Sequence, residues 1–184
     1  MSYTIDSLIA DFQRKQKLKF LFFWGHQPAK NGELTASCFS QWWESPFEVE
    51  GIRYATAEHW MMAQKAALFN DTEAFQRVIA AKSPGEAKQI GRQVRGFDDM
   101  VWNDRRYEVV VQGNKHKFSQ HEALKTFLIN TNDRVLVEAS PVDLIWGIGL
   151  AASDERAANP SQWNGLNLLG FALMDVRDQL RQEP

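Results

Sequence analysis

Tyr54-Ala55-Thr56-Ala57-Glu58-His59-Trp60-Met61-Met62-Ala63-Gln64-Lys65-Ala66 is the stretch on which the fold turns. Thr56 is a helix N-cap type, so the segment predicts a helix running to about Phe69. On its N-terminal side, Phe47-Glu48-Val49 and Ile52-Arg53-Tyr54 alternate around Glu50-Gly51, which predicts a tight hairpin. On its C-terminal side, helix starts follow in series. Asn70-Asp71-Thr72-Glu73 has capping-box spacing, with Phe75, Val78 and Ile79 as the apolar face behind it. Ser83-Pro84-Gly85-Glu86 adds a proline at the first helical position, and Gly96 is the expected stop. Asp98 would cap a long helix to about Lys117, and Ser119-Gln120-His121-Glu122 opens another, with Leu124, Phe127 and Leu128 following.

The flanks are sparser. A short helix is expected from Thr4 to about Gln16, with Ile5, Leu8, Ile9 and Phe12 on one stripe. Strands are expected at Lys19–Trp24 and Val135–Val137, and a closing helix at Gly165–Leu180. Six or so helices against three or four short strands, with no alternating strand–helix rhythm, predict a helix-dominated α+β fold with a small sheet. The 184 residues contain no linker, charge block or repeat, so a single domain over 1–184 is expected.

Composition narrows the function. Apolar residues are 44% and charged residues 24%, which excludes a disordered chain. The longest apolar run, Phe20-Leu21-Phe22-Phe23-Trp24, is far short of the roughly 20 residues of a membrane span. A lone cysteine, Cys38, and no secretory signal pattern suit a cytoplasmic protein. The net charge of −2 argues against a generally basic nucleic-acid-binding surface but leaves room for a small anion held by a few cations. Seven Trp and twelve Phe are a heavy aromatic load, most of it expected in the core, but Trp also stacks on flat ligands.

Common motifs are missing: no Walker loop, no GxGxxG after a strand, no GxSxG, no HExxH partner for His59 and no zinc spacing. Three segments remain. Glu58 and Lys65 are seven residues apart, so they share one helical face, with Met62 between them. They could face a largely apolar pocket, or simply be favourable choices at the two ends of a surface helix. Lys88, Arg92 and Arg95 follow i, i+4, i+7 spacing, a cationic stripe suited to gripping phosphate or to facing water. Asp143 through Trp146-Gly147-Ile148-Gly149, then Trp163-Asn164-Gly165-Leu166-Asn167, reads as a glycine-bearing loop beside large rings, where Asp143, Asn164 and Asn167 serve either a ligand or a turn.

Taken in order, these segments resemble the NADAR family, also called YbiA-like. The resemblance is carried by Phe39-Ser40-Gln41-Trp42, Ala57-Glu58-His59-Trp60-Met61, Gln64-Lys65-Ala66, Ala87-Lys88, Gly91-Arg92, Trp102, Arg106 and Lys117-Phe118. It continues through Leu136–Ser140, Asp143, Trp146–Gly149, Trp163–Gly170, Leu173-Met174 and Arg177, covering about residues 20–180. Gln41 stands where members often carry Asn, and Ile148 where some riboflavin-type members carry Asp.

The resemblance implies an N-glycosidase with no metal or redox cofactor. Its leading substrates would be phosphoribosylamino-pyrimidine and -uracil intermediates of riboflavin synthesis, cleaved at the ribosyl C1′–N bond. The alternative is ADP-ribose on guanine in DNA or RNA, the one reading in which nucleic acid is a partner. A third is a non-catalytic ADP-ribose or nucleotide-binding module. No reading involves a membrane. By resemblance Glu58, Trp102 and the Trp146-Gly147 pair map to family site positions. The chemistry fits: the departing base leaves positive charge on C1′, which a carboxylate in a helix's first turn would stabilise, or it would activate water. Lys65 as a neutral amine offers a second route, capturing the opened sugar as an imine. Trp102 and Trp146 would stack the heterocycle, Lys88 and Arg92 would neutralise phosphate, and Asp143, Gly147 and Asn167 would complete substrate binding.

Overall fold

The computed structural model describes residues 3–182, so the outer two residues at each end of the domain expected over 1–184 lie outside the described residues. Along the chain come α1 (Ile5–Gln13), β1 (Phe20–Phe23), a 3-10 turn (Ala36–Phe39), β2 (Phe47–Val49), β3 (Ile52–Tyr54), α2 (Ala57–Leu68), α3 (Thr72–Ala80), α4 (Pro84–Gly91), α5 (Asp99–Ser119), α6 (Glu122–Ile129), β4 (Val135–Glu138), 3-10 turns at Glu155–Ala158 and Pro160–Gln162, and α7 (Leu168–Gln182). The class is the helix-dominated α+β one expected. The strands form two two-stranded sheets, not one. Among the described residues no helix is long and apolar enough to cross a membrane. Two compact units emerge: Gln41–Glu122, and the remainder formed from the chain's two ends.

In the Gln41–Glu122 unit, β2 and β3 pair antiparallel, with Phe47 opposite Tyr54. The connecting Glu50 and Gly51 both have positive φ (52° and 76°), which matches the twist of a two-residue hairpin. Phe47 stacks on Tyr54 at 5.7 Å, and Tyr54 meets Trp60 edge-on at 5.0 Å, so the hairpin is pinned to α2 by aromatic contacts. Helix α2 packs against α3, α4 and α5 and is buried along most of its length. Close approach requires glycine. A Cβ on Gly91 would overlap the Met62 side chain, and one on Gly113 would overlap the Trp60 indole.

Three expected boundaries shift here. Asn70, left-handed at φ 57°, follows α2, and its neighbour Asp71 caps α3 by accepting from Ala74 N–H. Helix α4 stops at Gly91 rather than Gly96, because Arg92 is its C-cap and Arg95 turns away to Asp71. Ser119 is the last residue of α5, with its hydroxyl on the His116 carbonyl, not a cap for the next helix.

In the other unit, β1 and β4 run parallel, Phe20 beside Val135 through Phe23 beside Glu138. Val135 and Ala139 N–H groups bond across to Lys19 and Phe23. On the opposite edge, Asn167 stands in for a strand: its Oδ1 accepts from Glu138 N–H and its Nδ2 donates to the Leu136 carbonyl. Helix α7 then lies directly on β4, where a Cβ at Gly170 would overlap the Leu136 carbonyl. It starts at Leu168, later than expected. Gly165, Leu166 and Asn167 N–H groups are already committed to carbonyls of Ile148, Leu144 and Gly147. Arg177, 2% exposed, ties α7 to the turn before β4 through Thr131 Oγ1 and the Arg134 carbonyl.

Gly113→Ala tests the close packing of α5 on α2. Helix propensity alone would stabilise this change by about 1 kcal/mol. Overlap with Trp60 should outweigh that, for a net loss of about 1–3 kcal/mol. Urea unfolding measures it, and a midpoint at or above wild type would reject the contact.

Candidate functional site

The N-terminus of α2 is locked by a reciprocal pair. Thr56 Oγ1 accepts from the His59 N–H and lies 2.8 Å from His59 Nδ1, while His59 Nε2 lies 3.2 Å from the Ala81 carbonyl. A carbonyl only accepts, so Nε2 carries the proton and Nδ1 accepts from the Thr56 hydroxyl. Burial pushes the His59 pKa down, against smaller opposing effects of the Ala81 hydrogen bond and the Glu86 charge. His59 is therefore a neutral structural residue that fastens α2 to the end of α3.

That lock fixes Glu58. It sits in the first turn of α2, 3% exposed, and its N–H donates to the Gln41 carbonyl at 3.0 Å. Gln41 Oε1 in turn accepts from Asn114 Nδ2 on α5 at 2.9 Å, and Asn114 Nδ2 also reaches the Val110 carbonyl. Gln41 Nε2 and Asn114 Oδ1 remain buried without a hydrogen-bond partner, unspent polar capacity of the kind that functional sites retain. The helix dipole favours negative charge at this end of α2.

Lys65 occupies the last turn of the same helix, on the Glu58 face. Its Nζ lies 4.0 Å from the Phe97 ring centre and 5.7 Å from that of Trp102. Burial pushes its pKa down, and the Asp99 carboxylate opposes this. Trp102, buried in the first turn of α5, is thereby brought beside Lys65.

The cationic stripe divides. Lys88, half-buried on α4, carries its Nζ 5.9 Å from the Trp42 ring, next in sequence to Gln41. Arg92 is exposed at the end of α4. Arg95 lies beyond the helix and is spent on Asp71 (2.7 Å) and Glu73 (3.1 Å). Arg95 holds the Asp71 carboxyl well below the usual carboxylate range.

Asp143, Trp146, Gly147 and Asn167 belong to the other unit. Asp143 Oδ1 accepts from the Ile145 and Trp146 N–H groups, closing the turn that presents the half-buried Trp146. Gly147 is packed so that a Cβ would crowd the Glu138 carbonyl and Ser140. Asn164 Nδ2 donates to the Gly149 carbonyl. Asn167 has both ends of its amide on β4, so the structure gives it a scaffold role in place of the expected ligand contact.

Sequence reasoning missed Phe97 and the Gln41–Asn114 pair as site neighbours. No short-range pattern marks either, since Gln41 and Asn114 are 73 residues apart. Among the described residues, no three His, Cys, Asp or Glu side chains are grouped so that they could hold a metal ion.

The NADAR domain model matches residues 22–181. N-glycosidase R617 of Acanthamoeba polyphaga mimivirus is 37% identical over 169 residues, covering 89% of this chain and 98% of that protein. The chloroplastic riboflavin biosynthesis protein PYRR of Zea mays is 36% identical over 134 residues, 69% of this chain but 20% of that protein. The solved structure of Escherichia coli YbiA superposes with a TM-score of 0.68 at 26% identity, covering 90% of this chain and 87% of that one.

The His59 environment predicts a pH dependence. The unfolded chain protonates His59 at its ordinary pKa, whereas the folded chain resists the proton, so the unfolded state binds more protons as pH falls below about 6.5. Stability should therefore decline through that range. In His59→Gln, this part of the slope should vanish in urea titrations at stepped pH. An unchanged slope would mean that His59 accepts the proton in the fold.

Proposed function

The chain belongs to the NADAR family, and from that premise we propose that it hydrolyses the ribosyl C1′–N bond of a phosphoribosylamino-pyrimidine or -uracil. It is a hydrolase of N-glycosyl bonds. The observation that carries the reading is the Glu58 carboxylate, buried in the first turn of α2 and sharing a helical face with Lys65.

As the C1′–N bond breaks, its electron pair leaves with the base nitrogen, and C1′ and the ring oxygen share the positive charge. A carboxylate held in a site of low dielectric stabilises that charge far more than it would in water. Glu58 then takes one proton from the attacking water, whose oxygen bonds to C1′ and keeps the other, and the proton taken by Glu58 passes on to the base nitrogen, restoring the carboxylate. Lys65 supplies an amine at the other end of the same face, and Trp102 a flat wall beside it. Lys88, half-buried with its Nζ 5.9 Å from the Trp42 ring, supports the reading as a cation for the 5′-phosphate. The small-molecule substrate is supported by the net charge of −2 and by the likeness to a plant protein named for riboflavin biosynthesis.

Three measurements test this. Glu58→Gln should fold and bind but lose on the order of 100-fold or more in turnover, since an amide cannot carry the charge. A wild-type rate in Glu58→Gln would remove Glu58 from the mechanism. Turnover of a ribosylamino-pyrimidine 5′-phosphate should exceed that of ADP-ribosyl-guanosine, and the reverse order would move the substrate to ADP-ribosylated guanine. Side chains fill each role in this scheme, so activity should persist after dialysis against EDTA. Loss restored by one divalent ion would overturn it.

A further inference from the structure

We propose that Phe97 is a positioning residue for Lys65, its ring face holding the Lys65 amine at the rim of the α2 site. This rests on the reading that Lys65 takes part in the reaction. Lysine is a long, flexible side chain, and an amine that must meet a reacting carbon or phosphate needs its rotamers restricted. Phe97 is the nearer of the two rings that do so, at 4.0 Å from Nζ against 5.7 Å for Trp102.

The placement of Phe97 is built from several fixed points. It lies on the connection between α4 and α5, outside any helix. Two residues earlier, Arg95 is fastened to Asp71 through its backbone N–H at 2.9 Å and its guanidinium at 2.7 Å. Gly96, at φ +70°, then turns the chain into a conformation that side chains other than glycine rarely adopt. One residue later, Asp98 caps α5 through the Met100 and Val101 N–H groups. Between these anchors the Phe97 ring packs edge-on against Phe69, at 5.3 Å and 68°, and its face is left to Lys65. The Asp71–Arg95 pair, remote in role from any substrate, is thereby the far end of the support for the Lys65 amine.

Phe97 is 39% exposed, so its replacement leaves the core intact and the test can separate positioning from folding. Phe97→Leu keeps apolar bulk and removes the π-face. Phe97→Tyr keeps the face. In lysine-labelled protein, the ε-methylene protons of Lys65, assigned by their disappearance in Lys65→Met, should resonate upfield in wild type because they lie against the ring. Phe97→Leu should return them toward the position of an exposed lysine and lower kcat/KM by about 2- to 5-fold, the size of an exposed cation–π contact. Phe97→Tyr should restore both. An unmoved Lys65 signal in Phe97→Leu would overturn the proposal, as would a moved signal with wild-type kcat/KM. A failure of the underlying reading shows separately, as full turnover in Lys65→Met whatever Phe97 does.

Discussion

How closely backbone can approach α2 decides the organisation of the Gln41–Glu122 unit. Ala57, Ala63 and Ala66 are fully buried on it, and the facing helices present Gly91 and Gly113 where larger residues would strike Met62 and Trp60. Helices that pack this tightly leave no room for water, so a carboxylate at the N-terminal turn must be met by protein groups. The dipole at this end of α2, whose first turn Thr56 caps, favours negative charge where Glu58 stands. Close packing around α2 depends on these small residues. Enlarging one of them would loosen it.

Polar residues divide according to whether their hydrogen-bonding capacity is spent. Asn167 uses both ends of its amide on β4, His59 bridges Thr56 to Ala81, and Arg95 is consumed by Asp71 and Glu73. These are scaffold, however suggestive their residue types. Gln41, Asn114 and Lys65 keep capacity in reserve: an amide nitrogen, an amide oxygen, and an ammonium faced mainly by rings. Three cations at helical spacing looked equivalent in the sequence. Their surroundings distinguish one beside an aromatic ring, one in solvent and one already paired.

Local structure was legible because caps act over three or four residues. Thr4, Thr56, Ser83 and Asp98 cap the helices that their side chains predict. The misreadings occur where two residues compete for one role or where a distant partner intervenes. Asn70 and Asp71 are both good caps, and only the chain's reversal after α2 assigns them. Gly91 and Gly96 both look like helix stops, and what separates them is that Arg95, off the helix, bonds to Asp71. Within the candidate site, Glu58 and Lys65 were legible together because seven residues nearly complete two turns. Phe97 and the Gln41–Asn114 pair were not, because their partners come from other elements and no periodicity records such contacts.

Helix α2 carries an anionic group at its N-terminal end and a cationic one in its last turn, the arrangement that the dipole favours at both ends. That preference alone would place both on the surface, where each is worth little. Burial changes the balance. Glu58 is enclosed, while Lys65 stays partly open, with burial disfavouring its charge and Asp99 favouring it. A fully buried amine would lose its proton outright, and a fully solvated one would be too mobile to direct. The rim position under Phe97 avoids both extremes. With a rise of about 1.5 Å per residue, the two residues' backbone positions stand roughly 10 Å apart along one face. One end of the face thus carries an enclosed anion and the other a partly open cation, each set by its own surroundings.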